Sequence, residues 1–260
     1  GRFNFVSGCH YGTWQVGAAI ILDANGNPVL APHGEPNLVV FFADAKAGTI
    51  HDNWNTLGMR GTGSHDMEMQ QVFVPDRRTV MLGPIHPGSA FQGSLYRLHN
   101  YLAPPTVAAV ALGIARSALQ SAIDLAGRKT PNFASSSIAA RPVAQDRLAR
   151  AKARLDAARA YLLCTLDEVQ GYFEDGGEFS PEAALPVLLA SCHAVDAAVQ
   201  TVNDVSTVVG TSSFRVGEGF ERHVRDINTV SRHAFGSDAR FESAGKILLG
   251  QPADFAFLLF

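Results

Sequence analysis

Apolar positions fall into two regimes along the chain. Up to about residue 80 they come in short runs separated by Gly, Asn and Asp. From residue 104 onward they recur at helical spacing for long stretches. In the first regime Arg2-Phe-Asn-Phe-Val6 alternates, Gln15 to Leu22 and Leu38 to Ala43 are mostly apolar, and Glu68 to Val74 reads as a further strand. Pro75, which has no N–H to give a ladder, halts that last strand. Asp23-Ala-Asn-Gly-Asn27 supplies turn residues after the second run. Short strands with such turns predict a small antiparallel barrel or sandwich. Residues 76–98 are transitional, with Gly83, Pro84 and Pro87 as breakers. Pro104-Pro105 then opens a helix running from Thr106 to Ala126, with Gly127 as its stop. A second helix is predicted from Pro142 to about Phe173. Its charged face is the stretch from Asp146 to Arg159, and Leu148, Leu155, Leu162 and Leu166 form its apolar stripe. Gly176-Gly177 ends it. Ser180-Pro181 caps and opens a third helix to about Val209, which Gly210-Thr-Ser-Ser213 breaks. A fourth helix from Gly219 to His233 and a short one from Ala239 to Leu248 complete the pattern. The expected class is α+β, with a small antiparallel β-barrel or sandwich over residues 1–80 followed by a C-terminal four-helix-type bundle over residues 81–260. The many alanines allow the helices of such a bundle to approach closely.

Composition narrows this picture. The chain has 260 residues, 47% of them hydrophobic and only 17% charged, with a formal net charge of -3. That charge gives no electrostatic reason for nucleic acid or a membrane as partner, and no apolar run is expected to approach a membrane span. Low charge instead favours large buried surfaces between subunits. Cys9, Cys164 and Cys192 have neither metal-ligand nor redox spacing, which fits a reducing cytoplasm. The sequence opens at Gly1 in strand-like residues, with no signal peptide, so a preceding segment is expected.

Against this charge-poor background, Glu221 to His233 carries seven titratable side chains in thirteen residues. His233 can take a proton or hold an oxygen through a hydrogen bond near neutrality, or simply cap a helix end. Arg225 and Asp226 are neighbours on different helix faces, so each needs a partner elsewhere. Ser7, before Gly8 at the end of the first strand, offers a hydroxyl where the backbone can approach a ligand, or is merely a turn. His10 is expected at a pocket rim and not on a metal, because no ligand set accompanies it in sequence. Trp14 is either core or a ligand platform. Gly61-Thr62-Gly63-Ser64 can bring donors to a phosphate or ring edge. Arg128 can fork onto a phosphate or satisfy the carbonyls at its helix end. Thr211 and Ser212 form a second hydroxyl-rich loop. Phe91, Phe214, Phe235 and Phe241 are candidates for an aromatic pocket, while His99 and His193 read as surface or interface.

Taken together, Gly1-Arg-Phe-Asn-Phe-Val-Ser-Gly8, Trp14, Leu57-Gly-Met-Arg-Gly-Thr-Gly-Ser64, Val72-Phe-Val-Pro75 and Arg225-Asp226…His233 resemble the acyl-CoA dehydrogenase family. The closer resemblance is to its two-component flavin-dependent monooxygenases (group D oxygenase components), of the phenol or aromatic hydroxylase and dibenzothiophene monooxygenase type. The resemblance implies that residues 1–80 are the middle β-domain, incomplete at its N-terminus, and that an N-terminal helical domain precedes them. It implies reduced FMN or FAD delivered by a separate flavin reductase, O2 as co-substrate, a C4a-hydroperoxyflavin, a small aromatic substrate and a homotetramer. It implies catalytic roles for His233 and Ser7, and flavin contacts from Ser7, Trp14, Thr62, Ser64, Arg128, Thr211 and Ser212, with no metal. Two other readings stand beside it: an acyl-CoA dehydrogenase proper, with Glu218 or Glu221 as base, and a flavin-free family member. The absence of a Gly-x-Gly-x-x-Gly fingerprint fits NADH being used by the reductase.

Overall fold

The structure is a computed structural model and describes residues 1–30, 36–81, 93, 96 and 102–255. Phe91, His99, Gly83, Pro84 and Pro87 lie outside the described residues. The chain separates into two compact units, Gly1–His86 and Pro87–Phe260.

The first unit holds two three-stranded antiparallel sheets. One has β1 (Arg2–Val6), β5 (His65–Glu68) and β4 (Thr49–His51) in the order β1-β5-β4. The other has β2 (Trp14–Ile20), β3 (Leu38–Asp44) and β6 (Thr79–Met81) in the order β2-β3-β6. Both sheets feed one core. Phe41 and Ala43 of β3 and Met67 of β5 are buried with Met69, and Phe3, Ala19 and Ile50 pack around them. This is the sandwich form of the expected β unit. The turn after β2 forms as its residues predict: the Asp23 carboxylate accepts from the backbone N–H of Asn25 and Asn27.

One expectation fails here, and two short strands were not foreseen. The strand read from Glu68 to Val74 is instead His65–Glu68, because Val72 and Val74 pack on the core without joining a ladder. β4 and β6, three residues each, are too short to show a period in sequence.

The second unit is helical: α1 (Ala103–Arg128), α2 (Pro142–Glu174), α3 (Pro181–Val209), α4 (Phe220–Val230) and α5 (Ala239–Leu248). Three long helices and two short ones thus make up the expected bundle. α3 lies against α1 and α2. Ala108, Ala111, Ala115, Ala118 and Ala122 of α1, and Ala190, Ala194, Ala197 and Ala198 of α3, are almost wholly buried. Alanine costs little helix propensity and keeps the inter-helix distance short. α3 begins as its sequence predicts: Ser180 caps Ala183 N–H, and Pro181 needs no intrahelical donor.

The expectation that no apolar run approaches a membrane span is too strong. Ala103–Arg128 and Pro181–Ser213 are long and apolar enough by length and composition. About half of each such window is buried inside the protein, 44% and 56%. Their hydropathy therefore serves helix packing as much as any other purpose. α4 ends at Val230, not His233. After it the backbone bonds shorten from Ser231 N–H→Ile227 O to His233 N–H→Val230 O, so His233 stands in the turn before α5.

Candidate functional site

In the β unit, the loop after β1 is stitched to the loop before β5. Gly8 N–H donates to Thr62 O at 2.8 Å and Cys9 Sγ to Gly63 O at 3.4 Å, while Gln15 Nε2 holds Cys9 O at 2.9 Å. The second loop makes a tight turn over Arg60–Thr62 between two left-handed residues, Met59 at φ 52° and Gly63 at φ 51°. Glycine takes that conformation freely; Met59 holds it against a steric cost. Met59 O is gripped by the Trp54 indole N–H at 3.0 Å and the Thr62 hydroxyl at 2.9 Å.

This stitching brings three of the expected residues together. Ser7 Oγ lies 2.8 Å from Ser64 Oγ, and Ser64 Oγ lies 2.7 Å from Thr62 Oγ1. Ser64 is buried while Ser7 reaches the surface. Gly8, at φ 76°, has nothing within 4 Å of a Cβ position, so the backbone beside Ser7 is open to a ligand. Trp14 is not core: it is 46% exposed at the start of β2, with the Arg78 guanidinium 4.3 Å above its ring.

Behind this hydroxyl cluster lies a group the sequence did not reveal. His10, Asp52 and His65 present ligand-type atoms within 4.8 Å of one another. The expectation that nothing accompanies His10 is therefore corrected, because Asp52 and His65 are brought in from distant positions. His65 is buried, its Nδ1 is 3.1 Å from Asp52 Oδ1, and its ring meets His10 edge-on at 4.9 Å. The Trp54 backbone N–H also donates to His65 Nδ1 at 3.0 Å. The single lone pair of that nitrogen is thus already in use, so a ligand role for His65 would fall to Nε2.

In the helical unit, His233 accepts the Phe235 backbone N–H on Nδ1 at 3.2 Å, so the neutral ring carries its proton on Nε2. Burial lowers its pKa below the usual histidine value. Phe235 packs against His233 at 5.2 Å and against Phe255 at 5.8 Å, and the Arg240 guanidinium covers Phe255 at 3.9 Å. Phe241 lines a cavity of about 130 Å³ with Cys192 and Asn228, whereas Phe214 is exposed. Arg128 is exposed at the end of α1. Lys129 Nζ donates to Val209 O at 3.1 Å and to Ser212 Oγ at 2.8 Å, tying α1 to the Gly210–Ser213 turn. Ser212 is buried in that bond and Thr211 is exposed. His193 is a surface residue beside Tyr161.

The carboxylates that could serve as a dehydrogenase base each pair with an arginine, with Glu221 Oε2 left buried without a hydrogen-bond partner. Glu218 pairs with Arg215 at 3.0 Å, and buried Glu221 with Arg225 at 3.4 Å. Burial opposes ionisation of Glu221, yet its own backbone N–H and Arg225 outweigh it and hold its carboxyl below the usual range. A base ready to take a carbon-bound proton needs the opposite shift.

The family model described as acyl-CoA dehydrogenase, C-terminal domain, matches residues 105–238. An indole-3-acetate monooxygenase of Acinetobacter baumannii is 31% identical over 250 residues, covering 96% of this chain and 62% of that protein. The FADH(2)-dependent resorcinol hydroxylase, oxygenase component, of Rhizobium sp. is 27% identical over 267 residues, covering 96% and 63%. The chain thus spans less than two thirds of the length of these relatives. Among solved structures, XiaF from Streptomyces sp. in complex with FADH2 and glycerol superposes with a TM-score of 0.87 at 21% identity, over 98% of this chain and 64% of that one. The 3-HSA hydroxylase from Rhodococcus sp. RHA1 does so with 0.85 at 24%, over 99% and 66%.

Proposed function

The chain belongs to the acyl-CoA dehydrogenase family, and from that premise we propose that it is the oxygenase component of a two-component flavin-dependent monooxygenase acting on a small aromatic substrate. The observation that carries this reading is the 31% identity to an indole-3-acetate monooxygenase across 96% of the chain. The engaged state of Glu218 and Glu221 supports it against a dehydrogenase.

The residues fit a flavin. Ser7 offers an exposed hydroxyl held from behind by Ser64. Gly8 leaves open space, and Trp14 presents an exposed aromatic face. When bound, the reduced flavin supplies the chemistry that activates O2. The protein's part is to bind and orient the ring, exclude water and manage protons. His233, with Nδ1 fixed on Phe235 N–H and its pKa lowered, is the group that holds or exchanges a proton at Nε2, as an acidic aromatic hydroxyl or a reacting oxygen requires. Arg128 is the candidate for a flavin phosphate, and Thr211 is a further contact from the hydroxyl-rich loop. The proposal extends to FMN or FAD as the flavin, a partner reductase as its source and a homotetrameric assembly. It also extends to the cytoplasm as compartment, which suits Cys9, Cys164 and Cys192 all being free.

The test supplies the protein with reduced flavin from any NADH-dependent flavin reductase under 18O2, with indole-3-acetate and resorcinol as trial substrates. Incorporation of one labelled atom into the product is expected. Reduction of its bound FAD by an acyl-CoA, with no labelled product from any aromatic, would establish the dehydrogenase reading instead.

A further inference from the structure

Arg240 is a cation with no anion opposite it among the described residues. Its guanidinium lies over the Phe255 ring at 3.9 Å, and the side chain as a whole is half-buried. Nε and Nη1 are both buried, and neither has a hydrogen-bond partner. The acids beside this stack in sequence face other cations. Asp238 lies 3.9 Å from Arg232 and Asp254 lies 2.6 Å from Lys246, while exposed Glu242 does not pair with Arg240. Arg240 also stands in the first turn of α5, where the helix dipole disfavours a cation and favours an anion. Charged donors buried without acceptors cost free energy in their own right. One group would relieve all of this: an anion in the plane of the guanidinium.

The neighbouring rings indicate what the anion is attached to. Phe255 meets Phe235 edge-on at 5.8 Å, and Phe235 meets His233 at 5.2 Å. An aromatic row therefore leads from the guanidinium to the imidazole that carries its proton on Nε2. An inorganic anion would use Arg240 alone, whereas an aromatic acid uses the cation and the rings together. We propose that Arg240 binds the carboxylate of an aromatic acid substrate, whose ring lies along Phe255 and Phe235 toward His233. The carboxylate accepts N–H bonds in the guanidinium plane, which leaves the flat face of Arg240 on Phe255. The inference rests on the reading of the protein as an oxygenase of aromatics with His233 at the reacting edge, and narrows its substrates to carboxylates. If Arg240 served only to clamp Phe255, its loss would weaken the fold and shift acids and uncharged aromatics alike. A charge held for a ligand behaves otherwise. It is a liability in the free protein, and an apolar replacement leaves stability unchanged or raises it.

The experiment measures binding of benzoate, phenylacetate and indole-3-acetate, each beside its amide, by anaerobic equilibrium dialysis with reduced FMN or FAD present. It compares the unaltered protein with Arg240→Met and Arg240→Lys. A charge-assisted pair corresponds to roughly tenfold to a hundredfold in affinity. At least one acid should therefore bind the unaltered protein roughly tenfold or more tightly than its amide. Arg240→Met should abolish that preference with amide affinity kept, and its melting midpoint should equal or exceed the unaltered one. Arg240→Lys, which keeps the charge and loses the fork, should retain part of the preference, and it carries the test if Arg240→Met does not fold. No acid preferred over its amide, or a preference that survives in Arg240→Met, overturns the inference. Acid and amide weakened alike, with a lower melting midpoint, overturns it in favour of the clamp. Labelled product from 18O2 separates the inference from the reading beneath it. Oxygenation of resorcinol with no preference for any acid leaves the oxygenase and removes the role of Arg240. Arg240-dependent binding of an acid, with no labelled product from any aromatic, leaves the carboxylate site and overturns the oxygenase.

Discussion

His233 stands in the turn after α4, and its protonation state follows from two local facts. Phe235 N–H occupies Nδ1, and lost hydration disfavours the imidazolium. Both favour the neutral ring, so its midpoint should lie below the ordinary histidine value of about 6.5. A depressed folded-state pKa means that the unfolded chain binds more protons over this range. The contribution to stability is then complete above the unfolded value and is lost as pH falls through the folded one. His223, lowered by burial and by Arg222, acts in the same sense. The histidine NMR signal that disappears in His233→Gln should titrate below 6.5. The denaturation midpoint of that variant should fall less than the unaltered protein's between pH 7 and pH 5. A midpoint above 6.5 would mean that His233 is held as a cation and would remove it as the proton acceptor. At this scale the sequence was informative about residue types and silent about which of them meet. Ser7, Thr62 and Ser64 could be picked out from Ser-Gly and Gly-Thr-Gly-Ser, but their meeting in one cluster depends on the stitching of two loops that no motif encodes. Arg128 stood out in sequence because a guanidinium suits a phosphate, while Lys129 beside it carried no signal. Which of two adjacent cations turns toward Ser212 is decided by where α1 ends.

The end of α2 shows what an element-scale reading captures and misses. Gly176, at φ 91°, is the left-handed residue that closes the helix. Its N–H reaches Phe173 O at 3.2 Å and the Gly177 N–H reaches Tyr172 O at 2.8 Å, the paired bonds of a Schellman ending. That much was legible from Gly176-Gly177. The reason for the second glycine was not. A Cβ on Gly177 would sit 2.3 Å from the Tyr172 ring, which is clamped because its hydroxyl donates to Glu178 O and accepts Glu178 N–H. Gly177→Ala must therefore push the ring outward and break both bonds, at a cost of roughly 1–3 kcal/mol. Chemical denaturation should show this loss, and Tyr172→Ala/Gly177→Ala should lose no more than Tyr172→Ala alone. Additive losses would place the cost of Gly177→Ala elsewhere. The long helices were predicted within a few residues because alanine-rich 3.6-residue periodicity persists over many turns. The strands were less legible. An apolar run reports burial, so Val72 and Val74 mimicked a strand while contributing only to the core, and three-residue β4 and β6 left no period to read.

At the scale of the molecule, low charge and exposed apolar side chains point the same way. Only 17% of residues are charged, yet α1 and α2 leave Val110, Ile123, Tyr161, Leu163 and Tyr172 each more than 40% exposed. Such side chains are ordinary when scattered singly and mark contact with another molecule where they gather into a patch. Ion pairs on the same helix, Arg150–Asp146 and Lys152–Asp156, are local i,i+4 pairs and do not call for a partner. The assembly expected is the homotetramer, joined through apolar helix faces by closed symmetry. Sedimentation velocity at micromolar concentration should find a single tetrameric species. Sodium sulfate should strengthen it, because excluded salts favour apolar burial, whereas an assembly built on surface ion pairs would loosen as sodium chloride rises. Tyr161→Glu/Leu163→Glu places one carboxylate on each flank of the buried stripe of α2 without replacing buried Leu162 or Leu155, so helix content should hold by circular dichroism while the tetramer gives way to smaller species. A monomer in the unaltered protein would overturn the assembly and leave the exposed residues of α1 and α2 to a different partner. An unaltered tetramer in the double variant would move the interface off both of these flanks of α2.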